Sequence, residues 1–186
     1  MLRHFSISHI FSASSGCALM ACLFSQVSLA VTEGGCRLDT LAVAADFNVL
    51  ASVGPEHIDI VVKSLKKMQL PVSEMSGPEV VTLLHAVQES PSLTDVQFTG
   101  CLPLNVDPGQ LARAVHGLRR AKLEVAENEQ VVEVLQMCSG QTALEHLDLY
   151  VDLGALYRDR TGLGQLVSRA RERVAISLLG EVSREF

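Results

Sequence analysis

The chain of 186 residues contains no tryptophan, and aromatic residues make up only 4% of it. Hydrophobic residues account for 48%, and they are mainly Leu, Val and Ala, which suit a core built from layers of aliphatic side chains. The apolar run from Cys17 to Phe24 is far too short to cross a bilayer. Length and composition therefore predict one globular domain without a membrane partner.

Basic residues are outnumbered. Fifteen Lys and Arg stand against 21 Asp and Glu, which gives a formal net charge of -6. Proteins that bind the phosphate backbone of nucleic acids need a surplus of Lys and Arg. We therefore expect no direct binding to nucleic acid.

The five cysteines are too few and too scattered for a disulfide framework or a metal site. They are odd in number, and none belongs to a CxxC pair or to a Cys/His spacing of the zinc type. The simplest interpretation is five reduced, buried thiols that pack as small hydrophobes in a cytosolic protein. The cysteines are at positions 17, 22, 36, 101 and 138.

Catalytic motifs are missing as well. The six histidines form no HExxH motif, and we expect His85 and His116 at partly exposed positions of helices. There is no G-x-S-x-G and no G-x-x-x-x-G-K-[ST], and the pair Gly162 and Gly164 lacks the third glycine of a dinucleotide-binding loop. The sequence predicts a protein that is not an enzyme and that uses no cofactor and no metal.

The first thirty residues admit two interpretations. Arg3, the apolar run and the small residues Ser28 and Ala30 together resemble a secretory signal. However, the run is eight residues long, and about thirteen residues separate it from Arg3. The alternatives at this point are a signal peptide ending near Ala30 and a segment of the folded domain.

A repeat becomes visible when the chain is compared with itself. The pattern L-x-x-L-x-L, with any aliphatic residue at each L, recurs at starts that are 27, 28, 25 and 26 residues apart. A weaker copy, Arg171 to Ile176, follows 27 residues after the last of these. The five clear copies run from Leu38 to Val43, Leu65 to Leu70, Leu93 to Phe98, Leu118 to Leu123 and Leu144 to Leu149.

The segments between the copies have the features of helices. Ser76-Gly77-Pro78-Glu79 and Asp107-Pro108 are typical helix openings, because Pro has no amide hydrogen to leave unpaired in the first turn. Apolar residues at intervals of three and four follow each opening, as a one-sided helix requires. Three more helices are predicted for Ile58 to Leu65, Val131 to Cys138 and Leu163 to Ala170.

Each unit of 25 to 28 residues is thus one strand, one turn and one helix, and no unit buries its apolar face without neighbours. We predict an α/β fold: a leucine-rich-repeat solenoid, or horseshoe, of about six to seven units with a parallel sheet on the concave face. Eight residues after four of the starts, a small residue is expected to turn the chain out of the strand. These residues are Asp46, Ser73, Cys101 and Asp152.

The template also accommodates the N-terminus. Leu2-x-x-Phe5-x-Ile7 fits a further strand, Gly16 precedes an apolar helix, and Cys17 to Phe24 becomes that helix. The next start lies 36 residues on, so Gln26 to Gly35 is expected to be an insertion. We therefore interpret residues 1–186 as a single array with starts near 2, 38, 65, 93, 118, 144 and 171.

Repeats of this length resemble ribonuclease inhibitor and the C-terminal arrays of NOD-like receptors. The phrases LRHFSISH from Leu2, SGCALM from Ser15 and ALEHLDLY from Ala143 are most similar to the caspase-recruitment branch, which includes the class I histocompatibility transactivator. The resemblance implies a non-catalytic segment that binds proteins in innate immune regulation or in immune gene transcription. It implies a location in the cytoplasm or nucleus.

Two alternatives remain open: a small secreted or periplasmic protein, and a GTPase-activating or cytoskeletal protein of the same fold. Neither end carries an evident cap, so we expect a fragment of a larger protein that associates through its ends. A protein partner is expected on the concave face, because the positions marked x point to solvent there. These positions are Lys66, Lys67, Gln69, Asp95, Gln97, Arg119, Arg120, Lys122, Glu145, His146, Asp148 and Tyr150.

Overall fold

The structure is a computed structural model that describes residues 4–8, 13–34, 38–45, 48–125, 127–151 and 162–180. Strands and helices alternate along these residues, which confirms the α/β class and the order of the predicted elements. The strands are β1 (His4–Ser8), β2 (Thr40–Ala44), β3 (Lys67–Pro71), β4 (Asp95–Cys101), β5 (Arg120–Glu124), β6 (His146–Tyr150) and β7 (Ala175–Leu179). The helices are α1 (Ala13–Thr32), α2 (Pro55–Ser64), α3 (Gly77–Glu89), α4 (Pro108–His116), α5 (Asn128–Ser139) and α6 (Leu163–Arg171).

All seven strands belong to one parallel sheet, in which each strand pairs with the next strand of the sequence. Because every crossover advances in the same direction, the helices lie side by side on one face of the sheet. Alternate strand residues point into the layer between sheet and helices and form its core. The core columns include Leu41, Met68, Val96, Ala121 and Leu147, and beside them Val43, Leu70, Phe98, Leu123 and Leu149.

The register matches the repeat at most strands and departs from it at the last one. Phe5 pairs with Leu41 at the N-terminal end of the sheet, as the template predicts. At the other end Leu147 pairs with Ile176, not with Val174, so the predicted start at Arg171 is two residues too early. Helix α6 continues through Arg171, and the amide of Val174 still bonds to the Ala170 carbonyl at 3.0 Å. Val174 is therefore buried beneath the end of the helix, and the strand begins later.

Helix α1 is longer than the sequence predicts. It has 20 residues and ends at Thr32, so the expected insertion from Gln26 is largely helical, while Gly35 lies outside the described residues. Gly16 is within the helix rather than before it. Met20, Phe24 and Val27 are all buried, and their spacing of four and three residues continues one apolar stripe past the predicted end. The extra residues of this unit lengthen its helix by nearly two turns.

Within the described part of the chain, no helix combines the length and hydrophobicity needed to cross a membrane, and this includes α1.

The thiols are less uniformly buried than predicted. Cys138 is fully buried, but Cys17 and Cys101 are only partly buried and Cys22 is exposed, while Cys36 lies outside the described residues. Cys22 lies on the solvent-exposed side of α1. The four described thiols are free.

The end of β4 depends on a glycine, and Cys101, which was predicted to turn the chain out of the strand, is instead the last residue of β4. Gly100 has a φ of 83°, in the left-handed region that disfavours side chains, and it comes directly before Cys101. A Cβ at Gly100 would lie 2.7 Å from the Cβ of Ser73 in the preceding unit. Ser73 thus lies in the turn after β3, as predicted, where it packs against Gly100 near the end of β4. The other two predicted turn residues, Asp46 and Asp152, lie outside the described residues.

Hydroxyl groups join the ends of α2 and α4 to the following unit. Ser92 donates from Oγ to the carbonyls of Lys63 and Leu65 at 2.7 and 2.8 Å, and Thr142 donates to the carbonyl of His116 at 3.1 Å. The last carbonyls of a helix have no partner inside that helix, so a donor from the next unit satisfies them. These bonds align successive units.

The predicted helix openings are confirmed. The carboxylate of Asp107 accepts the Gln110 amide at 2.7 Å and so caps α4. At α3, the amide and the hydroxyl of Ser76 both donate to Oε2 of Glu79 at 2.7 Å. The side-chain amide of Asn48, from the preceding unit, donates to the same oxygen at 2.8 Å. Glu79 therefore links two units through one carboxylate.

Partial burial raises the pKa of Glu79, but the hydrogen bonds from Ser76 and Asn48 outweigh it, so the pKa lies below its usual range. A lowered folded-state pKa stabilises the fold above the unfolded-state pKa, and this stabilisation is lost as the pH falls through the folded-state value. We expect Glu79→Gln to lower the free energy of unfolding by about 1 kcal/mol at pH 7. The deficit should shrink below about pH 4.3. Urea denaturation across this pH range measures it.

Glu74→Gln is the matched control, because Glu74 is exposed and close to the same helix opening. It removes the same charge and should change the unfolding free energy by less than about 0.5 kcal/mol. Equal effects of the two substitutions would show that Glu79 acts only through net charge.

Candidate functional site

Among the described residues, helices cover only one face of the sheet, and we call the other face the open face. On strands β2 to β6 its side chains alternate with the buried columns, so each is exposed or partly exposed. Its members are Thr40, Ala42, Lys67, Gln69, Asp95, Gln97, Arg120, Lys122, Glu124, His146, Asp148 and Tyr150. All of these except Glu124 and Tyr150 line a shallow depression of about 610 Å³ that extends across five strands.

The structure places nine of the twelve predicted contact residues on the open face. The other three, Lys66, Arg119 and Glu145, each precede a strand and lie along its starting edge, which we call the rim. Asp39 and Thr94 occupy the same position in their units. The rim is regular because its backbone continues the ladder: the amide of Arg119 bonds to the Thr94 carbonyl, and the amide of Glu145 to the Arg119 carbonyl, both at 2.8 Å.

The charges of the rim are paired within the protein. Arg119 binds Glu145 with two parallel hydrogen bonds, from Nε at 3.0 Å and from the terminal nitrogen at 2.9 Å. Lys66 lies 3.4 Å from the carboxylate of Asp39. These pairs are exposed, so each adds little stability, but they hold the side chains in place. A partner would have to break them in order to use these charges.

The next row on the open face contains one more pair. Nε of Arg120 lies 3.9 Å from Asp95, and Asp95 also accepts the hydroxyl of Thr94 at 2.7 Å. Arg120 is therefore partly neutralised. The basic cluster expected from the sequence is divided, because three of its members already face carboxylates of adjacent units.

The middle of the open face is different. No hydrogen bond or ion pair involves the side chains of Lys67, Gln69, Gln97 and Lys122 within the described part of the chain. The Lys122 ammonium lies over the ring of Tyr150, 5.2 Å from its centre, which is a cation–π contact. Gln69, Gln97 and Lys122 are successive partners in the strand register. Unused donors thus form a continuous row across three strands.

Sequence reasoning missed Thr40, Ala42 and Glu124. Thr40 and Ala42 are small, and they form one side of the depression next to Gln69. Glu124 pairs with Tyr150 in the register. The signal was present, because all three occupy the same pattern positions as residues that were named.

The thiols and histidines do not form a reactive cluster. Burial, with a smaller effect of the Glu124 carboxylate, raises the pKa of Cys101, and burial raises the pKa of Cys138 to about 11. Both thiols therefore stay protonated and weakly nucleophilic at neutral pH. His85 and His116 lie at exposed helix positions, as expected, where His116 Nε2 is 2.7 Å from the Gln141 carbonyl. The described residues contain no group of three His, Cys, Asp or Glu placed to hold a metal ion.

The open face and rim together are balanced in charge, although the chain carries -6. The basic members are Lys66, Lys67, Arg119, Arg120 and Lys122, and the acidic members are Asp39, Asp95, Glu124, Glu145 and Asp148. The net negative charge therefore lies on the rest of the protein, and the open face offers a pattern of both signs.

Comparisons with family models, with curated proteins and with solved structures found no match to this chain.

Proposed function

We propose that the chain is a non-catalytic module that binds a protein on its open face. The observation that carries this proposal is the sheet itself: helices cover one face, and polar side chains in regular rows occupy the other. Such a face has no role in the core, because its residues alternate with the buried columns. Repeat arrays generally present their binding residues in this way.

We further propose that the array is a leucine-rich-repeat solenoid of the ribonuclease-inhibitor type. Its units repeat the same strand, turn and helix, and the aliphatic columns have the L-x-x-L-x-L order. The depression on the open face fits a sheet that curves with this face inward. The packing of α1 in the core fits a first unit of the same kind.

The similarity of three short sequence segments to NOD-like receptors supports a narrower proposal. The chain is then a segment of such a receptor that acts in innate immune regulation or in immune gene transcription. In that role the open face recruits another protein, in the cytoplasm or nucleus.

Site-specific photo-crosslinking in cells tests the binding face. We would replace Thr40 or His146, at opposite sides of the depression, by a photoreactive amino acid, and would place the same group at Gln88 or Gln136 as controls. These two glutamines are exposed on α3 and α5, on the helical side. We expect the same protein adduct from both open-face positions and much less of it from the helical positions.

A charge reversal separates specific from incidental adducts. Lys122→Glu should reduce the open-face adduct about tenfold, because it inverts a central charge of the face. An adduct that forms equally from the helical positions, or no adduct from either open-face position, would contradict the proposed binding face.

A further inference from the structure

The open face has free donors where its other charges are already paired. Gln69, Gln97 and Lys122 lie side by side on β3, β4 and β5, about 4.8 Å apart from strand to strand. Lys67 precedes Gln69 by two residues, about 6.6 Å along β3 on the same face. We call these four side chains the donor row. Together they provide two ammonium groups and two amide groups.

We propose that the donor row receives the carboxylates of an acidic protein segment. This inference rests on the proposed function and names the chemistry of the partner. Donors that have no acceptor within the described residues are available to a partner without loss of an internal bond. Arg119, Arg120 and Lys66 differ, because a partner would have to displace Glu145, Asp95 or Asp39.

The two lysines make the donor row positively charged. Lys122 is held over the Tyr150 ring, so its ammonium has a defined place at one end of the row. Lys67 lies at the other end, between Thr40 and Asp95 in the register, and Asp95 is already engaged by Arg120 and Thr94. An acidic side chain at each end, bridged by polar backbone over Gln69 and Gln97, would satisfy all four groups. Charge-assisted hydrogen bonds of this kind are stronger than those between neutral groups.

The acids of the open face set the direction of approach. Asp148 follows Lys122 in the register and Glu124 lies farther along β5, so an anionic segment that continued toward β6 would be repelled. On the other side, the small side chains of Thr40 and Ala42 leave room. The acidic segment therefore lies over β3 to β5, and a neutral or basic residue of the partner meets Asp148.

The acidic side chains of the open face also disfavour the binding of a nucleic acid at the donor row. A phosphate backbone carries a charge at every nucleotide, and its path across the row would bring phosphates close to Asp95 and Asp148. A protein segment can place its carboxylates singly and avoid this repulsion. The balanced charge of the face favours such a patterned partner over a uniform polyanion.

A titration followed by nuclear magnetic resonance tests the proposal on the full chain. The probe is an end-blocked glycine peptide with two Glu residues separated by three Gly, so that its carboxylates are placed singly, and its control is the same peptide with Gln in place of Glu. We expect the acidic peptide to shift the side-chain amide signals of Gln69 and Gln97 and to leave those of Gln136 and Gln165, on the helical layer, unchanged. The Gln peptide should shift none of them, and added salt should weaken the effect.

Two double variants of equal charge complete the test. Lys67→Gln with Lys122→Gln should weaken binding of the acidic peptide about fivefold or more, because it removes both ion pairs with the peptide carboxylates. Arg169→Gln with Arg171→Gln, on exposed positions of α6, should leave it unchanged. Equal weakening by both variants, equal shifts with the Gln peptide, or displacement of the acidic peptide by a single-stranded oligonucleotide would overturn the proposal.

The outcomes also separate this inference from the proposed function. An open-face adduct in cells without peptide binding at the donor row would leave the binding face intact and refute its acidic partner. Peptide binding at the donor row without an adduct would support the chemistry of the row and refute the assigned role of the face.

Discussion

Replacing Phe24 by Ala should lower the free energy of unfolding by about 3–5 kcal/mol. Phe24 is 1% exposed and is among the largest fully buried side chains of the described residues. Its ring lies in the core cluster on the stripe of α1 that contains Met20 and Val27. Removing it opens a cavity in this core. Chemical denaturation of the full chain measures the loss.

The same helix supplies the controls. Leu29 is 54% exposed and Leu19 is 38% exposed, so Leu29→Ala and Leu19→Ala should each cost less than about 1 kcal/mol. All three substitutions remove apolar atoms from α1; Phe24→Ala removes six carbons and each Leu→Ala removes three, but the main difference is burial. A Phe24→Ala protein as stable as the controls would show that α1 does not pack as the structure describes. That result would favour the signal-peptide interpretation of the first thirty residues.

Replacing Gly100 by Ala should lower the free energy of unfolding by about 2–3 kcal/mol. A left-handed conformation costs an alanine about 1–2 kcal/mol, and Gly100 has a φ of 83°. The new Cβ would also approach the Cβ of Ser73 at 2.7 Å, which forces the two turns apart. Thermal unfolding followed by circular dichroism detects a loss of this size.

Two further variants divide the cost into its parts. Ser73→Gly in the Gly100→Ala background should recover the steric contribution and leave the conformational one, as a double-mutant cycle with Ser73→Gly alone would show. Gly117→Ala is the control, because Gly117 has a φ of -84° and open space around the site of a Cβ. It should be neutral or slightly stabilising. A Gly100→Ala protein as stable as Gly117→Ala would contradict the stacking of the turns.

The repeat shows what can be predicted from local pattern. The aliphatic positions from Leu38 to Leu149 predict both the strands and the face that each strand buries, because every second side chain of a strand points to the same face of the sheet. The start signals at Ser76 and Asp107 predict helix openings for an equally local reason, since a cap acts on amides within three residues. These predictions depend on neighbours along the chain, and the structure confirms them.

The errors occur where local pattern leaves the choice to packing. Val174 and Ile176 fit the strand pattern equally well, and the end of α6 decides between them by burying Val174 beneath it. The residues after Phe24 read as an insertion because they exceed the repeat length. They form helix because Val27 lies over the core and α1 packs beside α2.

For the candidate site, too, some features follow from local sequence pattern and others from tertiary packing. The sequence by itself determined that side chains along each strand alternate between the buried face and the open face. It therefore determined which side chains face solvent, and that charges of both signs occur among them. Only the tertiary structure decided which charges are paired, because an ion pair across strands depends on the register between residues some 26 positions apart, such as Arg119 and Glu145. The free donors at Gln69, Gln97 and Lys122 are a consequence of that register, since no pattern within one strand shows whether the next strand offers an acceptor.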